Sequence, residues 1–335
     1  MTSGCSSLGY LLQAGKGQLA LSNRAKPLEE VIRDEKTAPR IKALLKEIPA
    51  IKKFGEAHGL KPTRNYQEYV KLDRPAAVWV VSACEKLRFQ SKEWNFPFVG
   101  AFPYLGWFDL EDARKYAGEL KQAGLDVDLR GARAYSTLGW FRDPILSSMI
   151  PDGAEAMGEL VNVVLHESVH ATLYISGQAY FNESLASFVA DKLTFVYLDE
   201  HLGGNSTEAQ AYAKGEADGA TFRKRFHETY ESLRDLYASP GKSDAEKLSE
   251  KDKLLTGLKT ELKFKRDLNN ATLIQFKEYA TGNDEFEAVY KNCGGDAGRF
   301  LRLLKANLKA ASFSKPQQED LAPVLQSYAR VNCPA

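Results

Sequence analysis

The chain has 335 residues, of which 44% are apolar, and its formal net charge at pH 7 is +1. This length and apolar content suffice for one large or two modest domains with a buried core. The near-neutral charge argues against a nucleic-acid partner, and no stretch approaches the roughly 20 apolar residues that span a bilayer. The composition therefore predicts a soluble, globular protein.

The first residues predict a lipid anchor. Thr2-Ser3-Gly4-Cys5 resembles the end of a bacterial lipoprotein signal, in which small residues precede a cysteine that is lipidated after cleavage. Ser6, and not Asp, follows Cys5, which by resemblance to sorted lipoproteins predicts the outer membrane, facing the periplasm. We therefore expect residues 1–15 to be a flexible start and the lipid on Cys5 to be the only membrane contact. The alternative is an ordinary disordered start.

The first half of the chain predicts a small β-sheet accompanied by helices. Gly124 can end a helix that Asp109 caps. The expected elements, in order, are two helices over 16–58 broken near Pro27 and Pro39, a buried strand over 76–81, a strand or ordered loop over 98–108, a helix over 109–121 and a strand over 125–138.

The second half of the chain, from about residue 153, predicts helices throughout. Phe222, Phe226 and Tyr230 step by four residues, as on one face of a helix, and leucines at 248, 255, 258 and 262 follow a similar pattern. These stripes are typical of core packing. Asn269 and Asn270 interrupt the helical pattern, and a solvated helix face is the simplest interpretation of them, with contact to a functional site as the alternative.

Residues 166–170 read HESVH, within the apolar-rich stretch 161–176. Because residues four apart lie on the same face of a helix, His166 and His170 can bind one Zn²⁺ at roughly 2.0–2.1 Å each. Glu167 can then lie beside the metal without binding it, and we predict that it is the catalytic base. The alternative is a pair of structural histidines on a half-buried helix face.

A catalytic zinc ion usually has three protein ligands and one open position. Downstream of the histidines, Gly177 marks a turn, and Asn182 is a candidate N-cap that places Glu183 in the first turn of a second helix. In a tight helical hairpin, Glu183 folds back toward His170, so we predict that it is the third metal ligand. The alternative is an acid that only stabilises the helix start.

These motifs resemble those of the gluzincin metallopeptidases, in which the third ligand is a Glu on a second helix, often within an N-E-x-x-A-like motif. The chain departs from that group in two respects: only 12 residues separate His170 from Glu183, and Ser187 stands where some members carry an acidic residue. More narrowly, the chain resembles a bacterial family of predicted aminopeptidases with a lipoprotein start. That resemblance is carried by Gly4-Cys5, FPYLGWF at 102–108, YSTLGWF at 135–141, HESVH and FNESLA at 181–186.

The order of the expected elements predicts an α+β fold with a small sheet in the N-terminal half and a mainly helical C-terminal half, and the resemblance implies that residues 166–170 lie on a zincin-like helix. We expect a catalytic region over 16–200 and a helical region over 201–335 that packs on it, in one continuous unit. One Zn²⁺ and a peptide substrate are implied. Zinc would polarise the scissile carbonyl and lower the pKa of its water to about 7, and Glu167 would transfer the proton to the leaving amine.

The sequence specifies the substrate-binding residues and the hydrogen-bond donor less closely than the metal ligands. Residues 131–139 precede the zinc helix, where zincins place the edge that binds substrate, and Tyr135 is the substrate-binding candidate; an ordinary sheet strand is the alternative. A neutral donor should stabilise the tetrahedral intermediate, and no spacing selects one tyrosine. The candidates for that donor are Tyr135, Tyr174, Tyr180 and Tyr279.

Two function hypotheses compete. The first is an active metallopeptidase, and the second is a catalytically inactive, zinc-stabilised envelope protein that binds peptides. The presence of Glu167 favours the enzyme, because an inactive protein does not need that acid. A purely structural zinc site is disfavoured by having only three good ligands.

The cysteines predict one disulfide in a periplasmic protein. Cys293 and Cys333 both lie in the C-terminal segment and are the preferred pair, which leaves Cys84 free. The alternative is three buried thiols.

Overall fold

A computed structural model describes residues 3–96, 100–134, 142–278 and 282–334. The helices are α1 (Ser3–Arg24), α2 (Leu28–Arg33), α3 (Pro39–Ala57), α4 (Leu110–Gln122), α5 (Ala156–Thr172), α6 (Ala179–Leu202), α7 (Thr207–Ala238), α8 (Asp244–Glu261), α9 (Asn270–Glu278), α10 (Asn283–Asn292), α11 (Ala297–Asn307) and α12 (Ala322–Leu325). The strands are β1 (Lys26–Pro27), β2 (Glu68–Val70), β3 (Val78–Cys84), β4 (Trp94–Phe96), β5 (Gly100–Phe102), β6 (Tyr104–Trp107), β7 (Asp126–Ala132) and β8 (Ile145–Leu146). The predicted α+β class is confirmed.

The chain divides into two compact units, each assembled from separate segments. The first unit contains Met1–Gly15, Val78–Ala132 and Glu216–Ala280, and the second contains Lys16–Ala77, Arg133–Gly215 and Thr281–Ala335. The regions predicted from the sequence run consecutively along the chain, and they stay a prediction. In the part of the chain that the structure describes, no helix is both long and apolar enough to cross a membrane.

The N-terminal helices differ from the prediction. Residues 3–15 belong to α1, whereas a flexible start was expected. Tertiary contacts hold this helix, because the Gln13 side chain donates to the carbonyl oxygen of Gly106 and accepts from the Phe108 N–H, both at 3.1 Å. The stretch 16–58 contains the end of α1 and two further helices, not two helices in all. Pro27 immediately precedes α2 and Pro39 begins α3, since a proline lacks an N–H group and fits the first turn of a helix.

The first unit contains an antiparallel sheet of order β6–β3–β7. Its central strand confirms the predicted buried strand, which begins two residues later and extends to Cys84. Helix α4 packs on this sheet through Ala113, Ala117 and Leu120. Asp109 caps α4 by accepting hydrogen bonds from the N–H groups of Glu111 and Asp112 at 2.8 and 3.0 Å, as predicted.

Helix α9 also belongs to the first unit and corrects the interpretation of the paired asparagines. Asn270 is completely buried, and its side-chain amide donates to the carbonyl oxygen of Glu85 at 2.8 Å. Asn269 donates to the carbonyl oxygen of Val127 at 2.9 Å, and Tyr237 donates to Asn270 Oδ1 at 2.7 Å. The two amides therefore attach α9 to the β3–β7 end of the sheet, and neither lies on a solvated helix face.

The second unit is built around helices α3, α5 and α6, which pack against one another, with the short strands β1, β2 and β8 beside them. Aromatic side chains join α6 to α10 and α11, with ring centroids of Phe188 lying 5.7 Å from Phe286 and 5.8 Å from Phe300. A disulfide between Cys293 and Cys333 confirms the predicted pairing. Cys84, in the first unit, is a buried free thiol, as the prediction left it.

Candidate metal centre

Helix α5 carries His166 and Glu167 and, one turn later, His170. The apolar residues that surround this motif fix the helix in the core, because Leu160, Val161, Val164, Leu165 and Val169 are at most 1% exposed. An apolar-rich stretch such as 161–176 favours a buried helix, and α5 is buried along most of its length. The rings of His166 and His170 lie with centroids 4.8 Å apart and planes nearly perpendicular, so both imidazoles face the same side of α5.

Helix α6 brings Glu183 to the histidines, but it begins earlier than predicted. Its first residue is Ala179, so Glu183 lies in the second turn and Asn182 does not cap the helix. The cap comes from a distant residue: Gln317 Oε1 accepts a hydrogen bond from the Ala179 N–H at 2.8 Å. Because this partner lies 138 residues away, nothing in the local sequence indicated the earlier start.

Asn182 closes the α5–α6 hairpin instead of capping a helix. It is 1% exposed; its Oδ1 accepts from the Ile175 N–H and its Nδ2 donates to the Ile175 carbonyl, both at 2.8 Å. The Gln317 N–H donates to the carbonyl oxygen of Gly177 at 2.8 Å, on the other side of the same loop. These bonds explain how a connection with only 12 residues between His170 and Glu183 holds the carboxylate beside the histidines.

We expect Asn182→Ala to lower the free energy of unfolding by about 2 kcal/mol, because the buried N–H and carbonyl of Ile175 would lose their partners. Urea unfolding followed by circular dichroism measures this change. Gln210→Ala is a suitable control, since Gln210 is an exposed amide whose side chain donates to Asn205 at 3.2 Å. Equal stability losses in the two variants would contradict the role of Asn182.

The three predicted ligands form one compact group. Glu183 Oε2 lies 3.4 Å from His166 Nε2 and 3.7 Å from His170 Nε2, and their ligand atoms all lie within 4.8 Å of one another. Tetrahedral ligands placed about 2.1 Å from a zinc ion would be roughly 3.4 Å apart. His166, His170 and Glu183 could therefore hold a metal ion with little movement, and two imidazoles with one carboxylate suit zinc.

Charge and burial act against each other in this group. Burial alone would raise the pKa of the Glu183 carboxyl, but His170 and His166 hold it far below its usual range. Burial also lowers the pKa of His170, yet the Glu183 carboxylate outweighs it and the pKa of His170 is raised. Without a metal, the site therefore favours an ionised acid beside a protonated imidazole.

This pair predicts a pH dependence for the metal-free protein. The raised pKa of His170 contributes stability below about pH 6.5, which is lost as the pH rises through the folded-state pKa. The lowered pKa of Glu183 contributes stability above about pH 4.5, which is lost as the pH falls. In the presence of a chelator, we expect the difference in melting temperature between wild type and Glu183→Gln to be largest near pH 5.5 and to shrink by pH 9. A constant difference would contradict the pairing.

Glu167 does not belong to the ligand group. Among the described residues, its Oε2 atom is buried and has no hydrogen-bond partner, and the same is true of His170 Nδ1. An unpaired buried carboxylate oxygen is unusual in folded proteins, and a catalytic role is one explanation for it.

Two of the four tyrosine candidates, Tyr174 and Tyr180, lie among the described residues. Tyr174 packs edge-on against His170 with ring centroids 6.2 Å apart, and its pKa is raised by burial and by Glu183. Tyr180 is buried at the start of α6. Tyr135, the substrate-binding candidate, and Tyr279 lie outside the described residues, as does the end of the predicted edge 131–139.

One buried tyrosine that the sequence did not single out is influenced by the charge of Glu167. The pKa of Tyr66 is raised well above its usual value by burial, then by the charges of Glu167 and Asp143. Its backbone φ of +64° is uncommon for a bulky residue. No motif or spacing marks Tyr66 in the sequence; only its backbone conformation and its surroundings do.

Comparison with known protein families gives a match to this chain. A sequence profile of the family described as "Putative aminopeptidase" matches residues 9–319, which is most of the chain. No curated protein and no solved structure shows significant similarity to it.

Proposed function

The chain belongs to the family described as "Putative aminopeptidase", and from this premise we propose that it is a zinc-dependent aminopeptidase of the gluzincin type. One observation carries the zinc assignment: two imidazoles from α5 and one carboxylate from α6 converge within 4.8 Å, while the neighbouring Glu167 carboxylate stays outside the group. A structural site would need no unpaired acid at that position. Peptides are the substrates that a peptidase family implies.

The proposed mechanism assigns each residue one task. His166, His170 and Glu183 would hold the zinc ion, which when bound supplies Lewis acidity at the scissile carbonyl and acidifies water. Glu167 accepts a proton from the attacking water and passes it to the leaving amine. The buried position of Glu167 Oε2 supports this role, because burial keeps the carboxylate from being fully hydrated by bulk water.

Cleavage from the amino end rests on the family description, and a peptide library can test it. Purified zinc-loaded protein should release N-terminal residues from peptides with a free amine and should leave N-acetylated peptides intact. A chelator should abolish the release. Cleavage of acetylated peptides at internal bonds would indicate an endopeptidase. Peptide binding without any cleavage would indicate the inactive, zinc-stabilised binding protein and overturn the proposal.

We also propose that the protein is a lipoprotein of the outer membrane, facing the periplasm. The Gly4-Cys5 sequence supports this proposal. The exposed side chains of Leu11, Leu12 and Leu19 on α1 also suit a surface close to lipid. When the complete precursor is expressed in a bacterium, Cys5→Ser should move the protein from the membrane fraction to the periplasmic fraction. Cys84→Ser is the control, because Cys84 is buried. Equal fractionation of the Cys5→Ser variant and the wild type would contradict lipidation.

A further inference from the structure

Five aromatic side chains line one cavity of the first unit. They come from α1 (Tyr10), β4 (Trp94 and Phe96), β6 (Trp107) and α4 (Tyr116), and all five are half-buried. Neighbouring rings in the series Phe96–Tyr10–Trp107–Tyr116–Trp94 lie with centroids 5.4, 5.6, 5.1 and 6.4 Å apart. The cavity has a volume of about 300 Å³, at the lower limit of the roughly 300–1,000 Å³ that is typical of small-molecule sites. Its size and its walls therefore suit a small ligand with an apolar face.

Two of these rings also offer a hydrogen-bond donor. The Tyr10 hydroxyl accepts a hydrogen bond from the Gly106 N–H at 3.3 Å, and the Tyr116 hydroxyl accepts one from Trp94 Nε1 at 2.6 Å. The protein thus orients both hydroxyls, yet the hydrogen of each has no acceptor among the described residues. Because a phenol both accepts and donates, each of them can donate to an oxygen atom of a bound molecule.

The rim of the cavity is polar and comes from one face of α4. Asp112, Lys115 and Glu119 line it, and all three side chains are exposed. Their spacing of three and four residues places them on the side of the helix that also carries Tyr116. Carboxylates accept hydrogen bonds and an ammonium group donates them, so the rim can serve a ligand that does both.

The charges around the cavity disfavour a charged ligand. The carboxylates of Asp112 and Glu119 are balanced by the ammonium groups of Lys115 and Lys92. Lys92 Nζ lies 5.6 Å from the centroid of the Trp94 ring, which is the position that an organic ammonium ion would seek. A cationic ligand would therefore compete with a cation of the protein, and an anionic ligand would meet two carboxylates. A neutral ligand avoids both penalties.

A pyranose sugar meets these requirements together. The C–H groups on one face of its ring pack against an aromatic ring, and the hydroxyls at its edge both donate and accept hydrogen bonds. We propose that this cavity is a binding site for neutral pyranose sugars, with the aromatic rings as the stacking surface and Asp112 and Glu119 as acceptors for sugar hydroxyls. The three candidate metal ligands belong to the second unit, so the proposal does not depend on peptidase activity.

Binding of three neutral disaccharides to the full chain tests the proposal. The probes are maltose, cellobiose and N,N′-diacetylchitobiose, and at least one of them should bind with a Kd of about 1 mM or below in calorimetry. Saturation-transfer NMR should show that the protein contacts mainly the C–H protons on one face of a sugar ring. Choline chloride, a cationic probe, should bind at least about tenfold more weakly. Absence of binding by all three sugars, or tighter binding of choline, would overturn the proposal.

Two variants locate the bound sugar. Trp94→Ala removes a stacking surface and should weaken sugar binding about tenfold. Glu119→Gln removes an exposed acceptor, should fold as the wild type does, and should weaken binding about threefold. Glu111→Gln is the matched control, because Glu111 is exposed on the same helix but pairs with Arg114, and it should leave the Kd unchanged. Wild-type affinity in Glu119→Gln, or in a folded Trp94→Ala variant, would show that the sugar does not occupy this cavity.

Discussion

Replacement of Glu167 by Gln is expected to abolish measurable peptide hydrolysis while zinc stays bound. The amide is nearly isosteric with the carboxylate, but it cannot accept the proton that the attacking water releases. A positioned general acid–base group contributes typically 10²–10⁴-fold to the rate, and we expect kcat to fall by at least that factor. Steady-state kinetics on a peptide that the wild type cleaves, combined with metal analysis of the same sample, measures both parts of this expectation.

Glu159→Gln is the matched control for that experiment. Glu159 also lies on α5, two turns before Glu167, and its carboxylate faces Arg133 at 3.8 Å on a partly exposed surface. Its replacement should leave kcat within about twofold of the wild type. Robust hydrolysis by Glu167→Gln would show that another group accepts the proton, and loss of zinc from this variant would make Glu167 part of the metal site.

Replacement of Glu183 by Gln is expected to have the second largest effect, on metal affinity. The carboxylate lies 3.4 and 3.7 Å from the two imidazole Nε2 atoms and supplies the negative charge of the ligand group. A neutral amide keeps the shape but loses that charge. Loss of an outer-shell partner typically costs 10–100-fold in metal affinity, so loss of a ligand should weaken zinc binding by more than about 100-fold.

Competition with a chromophoric chelator measures this affinity, and Glu200→Gln is the control. Glu200 lies on the same helix but is exposed, so its replacement should leave the zinc affinity unchanged. If Glu183→Gln binds zinc as tightly as the wild type does, then Glu183 is not the third ligand.

Some features were predictable because their causes are local. Asp109 caps α4 through bonds to residues two and three positions away, and the four-residue spacing of His166 and His170 places both rings on one face of α5. The buried strand β3 follows from an unbroken apolar run. In each case the decisive interaction lies within one turn or one strand, where sequence patterns are informative.

Other features depend on contacts between distant residues. Asn182 was interpreted as a cap because Asn is common at helix starts. Its actual partner is the backbone of Ile175, and the cap is supplied by Gln317. Tyr66 has no sequence signature, since only its positive φ and its burial distinguish it. Such long-range partners are fixed only when the chain has folded.

The partner of the α6 start has a consequence for biosynthesis. Gln317 follows Ala179 by 138 residues, and it lies inside the loop that the Cys293–Cys333 disulfide closes. While the chain is being synthesised, the hairpin residues, with the three candidate metal ligands, therefore emerge before the residue that caps α6. The start of α6 gains this hydrogen bond only after the C-terminal segment has been synthesised. The order of the chain thus makes completion of the hairpin depend on residues that are synthesised long after it.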